Sequence, residues 1–141
     1  MKVEVPINIL IIEEDGFHLQ INIFINDKPA RLLIDTGASK TVFDINSIGE
    51  FIEDVKPQIQ DALSTGLGTN TMQSHKANIC HFKIGQLDVY DFDAVLLDLS
   101  HVNQSYSQLG LPAIQGVLGG DLLHKFKAVI SYEEKNITFN L

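Results

Sequence analysis

Apolar positions along this chain mostly alternate with polar ones, and turn-forming residues interrupt them at short intervals, as in strands joined by hairpins. Val5–Ile12 reads as a first strand and Asp15-Gly16 as a turn. From Phe17 to Ile25, the residues Phe17, Leu19, Ile21, Ile23 and Ile25 fall on one face, with His18, Gln20 and Asn22 on the other. After an Asn26-Asp27-Lys28-Pro29 turn, Ala30–Asp35 predicts a third strand, and its unbroken Leu32-Leu33-Ile34 run suits burial on both faces. Thr41-Val42-Phe43, Ser74–Ile84, Leu87–Leu97 and Ile114–Leu118 predict further strands. Lys127–Tyr132 and Asn136–Leu141 predict a closing hairpin that turns on Glu133-Glu134-Lys135. Ile48, Phe51, Ile52 and Val55 have helical spacing, which Pro57 ends or kinks. Ser64–Thr71 reads as a loop or hairpin tip, Ser100–Pro112 as polar loop and Leu122–Phe126 as a short helix. The expectation is an all-β fold with one or two short helices, forming a single domain over residues 1–141.

Composition narrows the function classes. With 141 residues, 45% of them hydrophobic and 20% charged, the chain can bury a real core. Its formal net charge of -8 repels phosphate, so no nucleic-acid partner is expected. The lone cysteine, Cys80, cannot close a disulfide within the chain, which fits a reducing, cytoplasmic setting. The apolar run Ile7–Ile12 contains Asn8 and stops at Glu13-Glu14, too short and broken for a membrane span or a signal peptide. A leader removed upstream would leave the same N-terminus.

The sharpest chemical feature is Leu33-Ile34-Asp35-Thr36-Gly37-Ala38-Ser39. An acidic side chain directly after a buried strand is unfavourable unless it has partners. The residues after it can supply them: a tight turn offers backbone N–H groups, Gly37 allows close approach, and Thr36 adds a hydroxyl. On these residues alone, an aspartate opening an ordinary turn is the simpler reading.

A second segment shifts the balance. In Gln115-Gly116-Val117-Leu118-Gly119-Gly120-Asp121-Leu122-Leu123, two apolar residues precede Gly, an acidic residue follows two positions on, and a helix begins. Together, in this order, the two segments resemble the retropepsin-like aspartic peptidases, over about residues 17 to 141. The resemblance implies a retropepsin-like acid protease barrel in which the segments cross. Asp35 would be the catalytic residue, with Thr36, Gly37 and Ala38 supporting its loop and Val117, Leu118, Gly119 and Asp121 bracing it. It further implies an aspartic endopeptidase that needs no cofactor or metal and acts on a peptide or protein substrate. Peptide hydrolysis by this route needs two carboxylates around one water, and Asp-Thr-Gly occurs once here, so a homodimer is implied. By the family pattern Thr36 would hydrogen-bond across the two-fold axis, and Gly66, Leu67, Gly68 and Thr69 sit where the family has its substrate-binding flap.

Other features are weaker. Gly66-x-Gly68 lacks the third glycine and helix start of a phosphate loop. Ser39 has no assignable histidine to activate it. His75 and His81 share one face of an alternating strand, whereas Cys80 aligns with Phe82 and Ile84, so Cys80 is expected to be a small buried hydrophobe rather than a metal ligand. The segment between Thr41 and the expected flap is longer than in the compact viral enzymes, and Val5–Ile12 and Ile137–Leu141 could pair either between subunits or within one. The alternative to an enzyme is a peptide-binding or scaffold protein without turnover, built on the same fold.

Overall fold

Long alternating strands need partners on both edges, and here the longest of them closes a barrel. The computed structural model describes residues 1–12, 16–52, 58–59 and 75–141. Its strands are β1 (Lys2–Pro6), β2 (Asn8–Ile12), β3 (Gly16–Ile25), β4 (Lys28–Ile34), β5 (Val42–Asp44), β6 (Gln58–Ile59), β7 (His75–Ile84), β8 (Leu87–Leu97), β9 (Gly116–Leu118), β10 (Val129–Ser131) and β11 (Asn136–Asn140). Among the described residues two short helices, α1 (Ser100–Gln108) and α2 (Gly120–Lys125), accompany them, with one 3₁₀ turn at Ile48–Glu50. Strands β3, β4, β9, β5, β8 and β7 follow one another, and β3 meets β7 again through Phe24↔Lys83 and Ile25↔Phe82, which closes a six-stranded barrel. β1, β11 and β10 form a separate three-stranded sheet. The fold is mostly β.

The apolar run in β4 is buried on both faces, as its sequence requires. Leu32 and Ile34 enter the main core with Ile21, Ile23, Ile25, Phe43, Phe82 and Leu118. Leu33 packs with Val42, Val117, Ile114, Leu99 and Tyr106 in a second cluster outside the barrel. The neighbouring strands divide in the same way: Val42 and Val117 face outward, Phe43 and Leu118 inward.

Three expectations are corrected. Val5–Ile12 is not one strand. Pro6 brings no N–H, the Ile7 N–H is donated to the Lys135 carbonyl at 3.0 Å, and the chain passes from the β1 sheet to the barrel there. Ser100–Pro112 is not all loop, because α1 occupies Ser100–Gln108. Its residues are poor helix formers, so tertiary contacts hold it. Tyr106 is buried under it, and Asn103 exchanges hydrogen bonds with the Ile114 backbone at 2.8 and 3.1 Å. Cys80 is exposed rather than buried. Both strands of the β7–β8 hairpin shift phase at Cys80–His81 and Tyr90–Asp91, so that Ile79 and Phe82 both face the core and Asp91 takes a left-handed backbone with φ 51°. Alternation cannot be counted through such a break. The helical spacing continuing to Val55 lies partly outside the described residues; Ile48–Glu50 forms the 3₁₀ turn.

Asp98 anchors the start of α1. The Ser100 hydroxyl and backbone N–H, then the Asn46 amide, hold its carboxyl below the ordinary value of 3.8, and His101 adds a favourable charge. The Ser100 N–H and Asn46 Nδ2 donate to Asp98 Oδ1 at 2.9 and 2.7 Å. A carboxyl whose folded value is depressed stabilises the fold above its unfolded value and loses that contribution as pH falls through the folded one. Asp98→Asn should therefore lower stability at neutral pH, and the difference from the unmodified chain should start to shrink as pH falls through the ordinary value of 3.8 and vanish only below the depressed folded value. Urea titrations of both proteins across the acid limb check this.

Candidate active site

The geometry around Asp35 begins with how β9 is inserted. It runs parallel to β4 (Leu32↔Gly116, Leu33↔Val117, Ile34↔Leu118) and antiparallel to β5 (Val42↔Val117, Phe43↔Gly116). A strand held this closely on both sides needs small residues at the contact points. A Cβ on Gly116 would lie 2.5 Å from the Val42 carbonyl oxygen, and one on Gly119 would lie 2.5 Å from the Lys40 carbonyl oxygen.

The turn that carries Asp35 is pinned to this strand. The Asp35 N–H donates to the Leu118 carbonyl at 3.0 Å, the Ala38 N–H to the Asp35 carbonyl at 3.2 Å, and the Gly37 N–H to Asp35 Oδ1 at 2.9 Å. A Cβ on Gly37 would sit 3.3 Å from that carboxylate oxygen. At the far end of the turn, the Gly120 and Asp121 N–H groups donate to the Ala38 and Ser39 carbonyls at 2.7 and 3.1 Å. The turn is thus held from both ends by the segment 118–121, while the Asp35 side chain stays exposed.

Asp121 and Thr41 lock the crossing. Asp121 Oδ1 accepts from the Thr41 N–H at 2.9 Å, the Thr41 hydroxyl at 2.7 Å and the Leu122 N–H at 2.8 Å. The same Thr41 hydroxyl accepts from the Gly119 N–H at 3.0 Å. The sequence reading placed Asp121 in this group but missed Thr41, which is buried and stands at the head of β5. The available signal was a Thr four residues beyond the Asp-Thr-Gly turn, directly before an apolar pair, where a hydroxyl has little use unless it is bonded. Thr41→Val should cost about 2–3 kcal/mol, because it leaves the Gly119 N–H and one Asp121 interaction unmade in a buried place. Chemical denaturation measures this, with Thr41→Ser expected to recover most of the loss.

Asp35 and Thr36 line a cleft of about 490 Å³ with Phe17, His18, Leu19, Leu33, Ile34, Ile130 and Tyr132. Phe17 and Tyr132 present large exposed rings, at 63% and 59% of their full area. The His18 ring is oriented by Nδ1, 2.8 Å from the Tyr106 hydroxyl. The cleft therefore combines one carboxylate, the Thr36 and Tyr132 hydroxyls, the His18 imidazole and a broad apolar wall, which suits an extended chain with apolar side groups. The sequence reading did not find Phe17, His18, Ile130 or Tyr132, since β3 and the β10–β11 hairpin meet only in the fold. Gly66, Leu67, Gly68 and Thr69 lie outside the described residues. Among the described residues no group of three His, Cys, Asp or Glu side chains is arranged to hold a metal ion.

Comparisons with known proteins agree with this geometry. Residues 21–122 match the aspartyl protease family. No curated protein sequence matches significantly. Among solved structures, a retropepsin-like aspartic protease from Rickettsia conorii is similar at a TM-score of 0.59 and 19% identity, over 99% of this chain and 89% of that one. The retroviral protease-like domain of Ddi1 from Leishmania major is similar at a TM-score of 0.59 and 13% identity, over 86% of this chain and 87% of that one. EIAV protease complexed with the inhibitor HBY-793 is similar at a TM-score of 0.51 and 17% identity, over 86% of this chain and 99% of that one.

Proposed function

This chain belongs to the aspartyl protease family, and we propose that it is an aspartic endopeptidase whose active site forms when two copies bring their Asp35 side chains together. The observation that carries this reading is the exposed Asp35 carboxylate at the wall of a cleft, on a turn pinned by Leu118 and braced by Asp121 and Thr41. Two carboxylates about 3 Å apart cannot both ionise, and aspartic proteases as a class share one proton between them. The ionised Asp35 takes a proton from a water held between the pair, and the protonated one polarises the scissile carbonyl and donates to it. Thr36 braces the two turns against each other across the axis, and Gly37 and Ala38 keep the carboxylate in place. The substrate is an extended peptide lying in the cleft, its apolar side chains against Phe17 and Tyr132, with Gly66–Thr69 as the covering flap.

The second copy has a place to dock. Of the two candidate segments for intersubunit pairing, Val5–Ile12 pairs within the chain through Val5 and Pro6 on β11 and through Asn8–Ile12 on β3, and β11 is taken up by β1 and β10. Among the described residues β10 pairs with β11 alone and leaves its other edge open. It carries exposed Val129, and Ile130 with the adjoining Tyr132 lines the Asp35 cleft. A two-fold axis passing by the cleft would set two β10 edges antiparallel.

A peptide-library digestion tests this, run over a range of protein concentrations beside light scattering. Cleavage per chain should fall on dilution in step with loss of the dimer, and a transition-state mimic should block it. A monomer at all concentrations that neither cleaves peptides nor binds the mimic would point to a binding or scaffold role instead.

A further inference from the structure

A second cavity, of about 470 Å³, opens on the outer face of the barrel, away from Asp35. It is lined by Ile7, Asn8, Ile9, Leu10, Gln20, Arg31, Pro112 and Lys135. Two of these side chains are cationic, and no carboxylate lines it among the described residues, although the chain as a whole carries a formal net charge of -8. Arg31 is partly buried and makes no ion pair among the described residues, and its Nε has no hydrogen-bond partner there. Gln20 is only 2% exposed, and its Nε2 is likewise unpartnered. The Tyr106 hydroxyl, bonded to His18, is the polar group beside Gln20, but it does not meet hydrogen-bond geometry with Gln20 Nε2.

Buried donors without acceptors are rare because each forfeits its hydration, by an amount comparable to a lost hydrogen bond. Gln20 Nε2 and the Arg31 guanidinium, whose Nε is the other such donor, stand at one cavity beside the Lys135 ammonium and form a donor set that lacks its acceptor. We propose that this cavity binds an amphipathic carboxylate, its anionic head against Arg31, Gln20 and Lys135 and its apolar body against Ile7, Ile9, Leu10 and Pro112. The guanidinium fork suits a carboxylate, and the aliphatic wall excludes a bare inorganic anion as the preferred ligand. Arg31 lies four residues before Asp35 on the same face of the chain, about 13 Å along it, so the pocket is a separate site. It does not depend on whether Asp35 cleaves peptides.

Binding can be read by amide chemical shifts and thermal unfolding of the whole chain. Hexanoate should shift the Gln20, Arg31 and Ile9 signals saturably and raise the melting temperature. Hexanol and inorganic phosphate should do so at least about tenfold more weakly, because each lacks one half of the match. An acetylated dipeptide ending in Leu, supplied as acid and as amide, identifies the source. Binding by the acid alone points to a peptide terminus, and binding by hexanoate but neither dipeptide form points to a free fatty acid. Arg31→Met should weaken hexanoate by about tenfold or more, and Lys135→Gln, in an exposed turn, by less. Equal binding of hexanoate and hexanol, or unchanged affinity in Arg31→Met, overturns the proposal. Should Arg31→Met fail to fold, unchanged affinity in Lys135→Gln overturns it.

Discussion

Replacing Asp35 with Asn is expected to reduce peptide cleavage on the order of 10³- to 10⁴-fold while leaving the fold intact. The substitution keeps an oxygen for the Gly37 N–H and leaves the Asp35 N–H on the Leu118 carbonyl. Because the side chain is exposed, loss of its charge strands nothing in the core. What disappears is the ionised member of the pair and the proton the two share, so neither water activation nor donation to the carbonyl is possible. Cleavage assays beside a thermal melt separate the two effects. Activity retained in a clean Asp35→Asn preparation would rule out Asp35 as the catalytic group, and a collapsed melt would show that its role is structural.

The second large effect is expected at Gly119. A methyl group there meets the Lys40 carbonyl oxygen at 2.5 Å, the Lys40 carbonyl carbon at 2.6 Å and the Thr41 nitrogen at 2.9 Å. These are backbone atoms, which cannot rotate aside as a side chain would. Gly119→Ala must therefore push β9 out from between β4 and β5, straining the Thr41–Asp121 lock and the Leu118 bond to Asp35. The expected loss is about 3 kcal/mol, or a fall in melting temperature of roughly 10 °C for a chain of this size. Gly120→Ala is the internal comparison. Its Cβ would come no closer than 3.3 Å to the Ala38 carbonyl oxygen, so a small relaxation accommodates it. Urea denaturation of both variants should show the first far below the second, and equal losses would contradict the close crossing.

Much of this arrangement was legible in the residues. Strands β3, β4, β7 and β8 declared themselves by alternation, and the Leu32-Leu33-Ile34 run correctly announced a strand covered on both faces. The two glycine-containing segments were joined only by their resemblance to the retropepsin-like pattern, and the fold sets them side by side. Where the reading failed, the deciding contact was distant in sequence. α1 has weak intrinsic propensity and exists because Tyr106 and Asn103 find partners on β3 and before β9. The exposure of Cys80 follows from a phase break whose visible cause, the left-handed Asp91, lies on the neighbouring strand. Thr41 looked like the first residue of an ordinary strand until Asp121, 80 positions later, was placed against it. The cleft walls Phe17 and Tyr132 come from opposite ends of the chain, and no local pattern joins them.

In the proposed mechanism each active site is the joint product of two chains, and mixing active and inactive subunits tests that most directly. Wild-type protein and Asp35→Asn protein would be exchanged to equilibrium at fixed total concentration and peptide cleavage followed as the active fraction falls. If every site takes one carboxylate from each chain, activity follows the square of that fraction and drops to about one quarter at an equal mixture. A linear decline, to about one half at the same point, would mean that each chain works alone and would contradict the shared site.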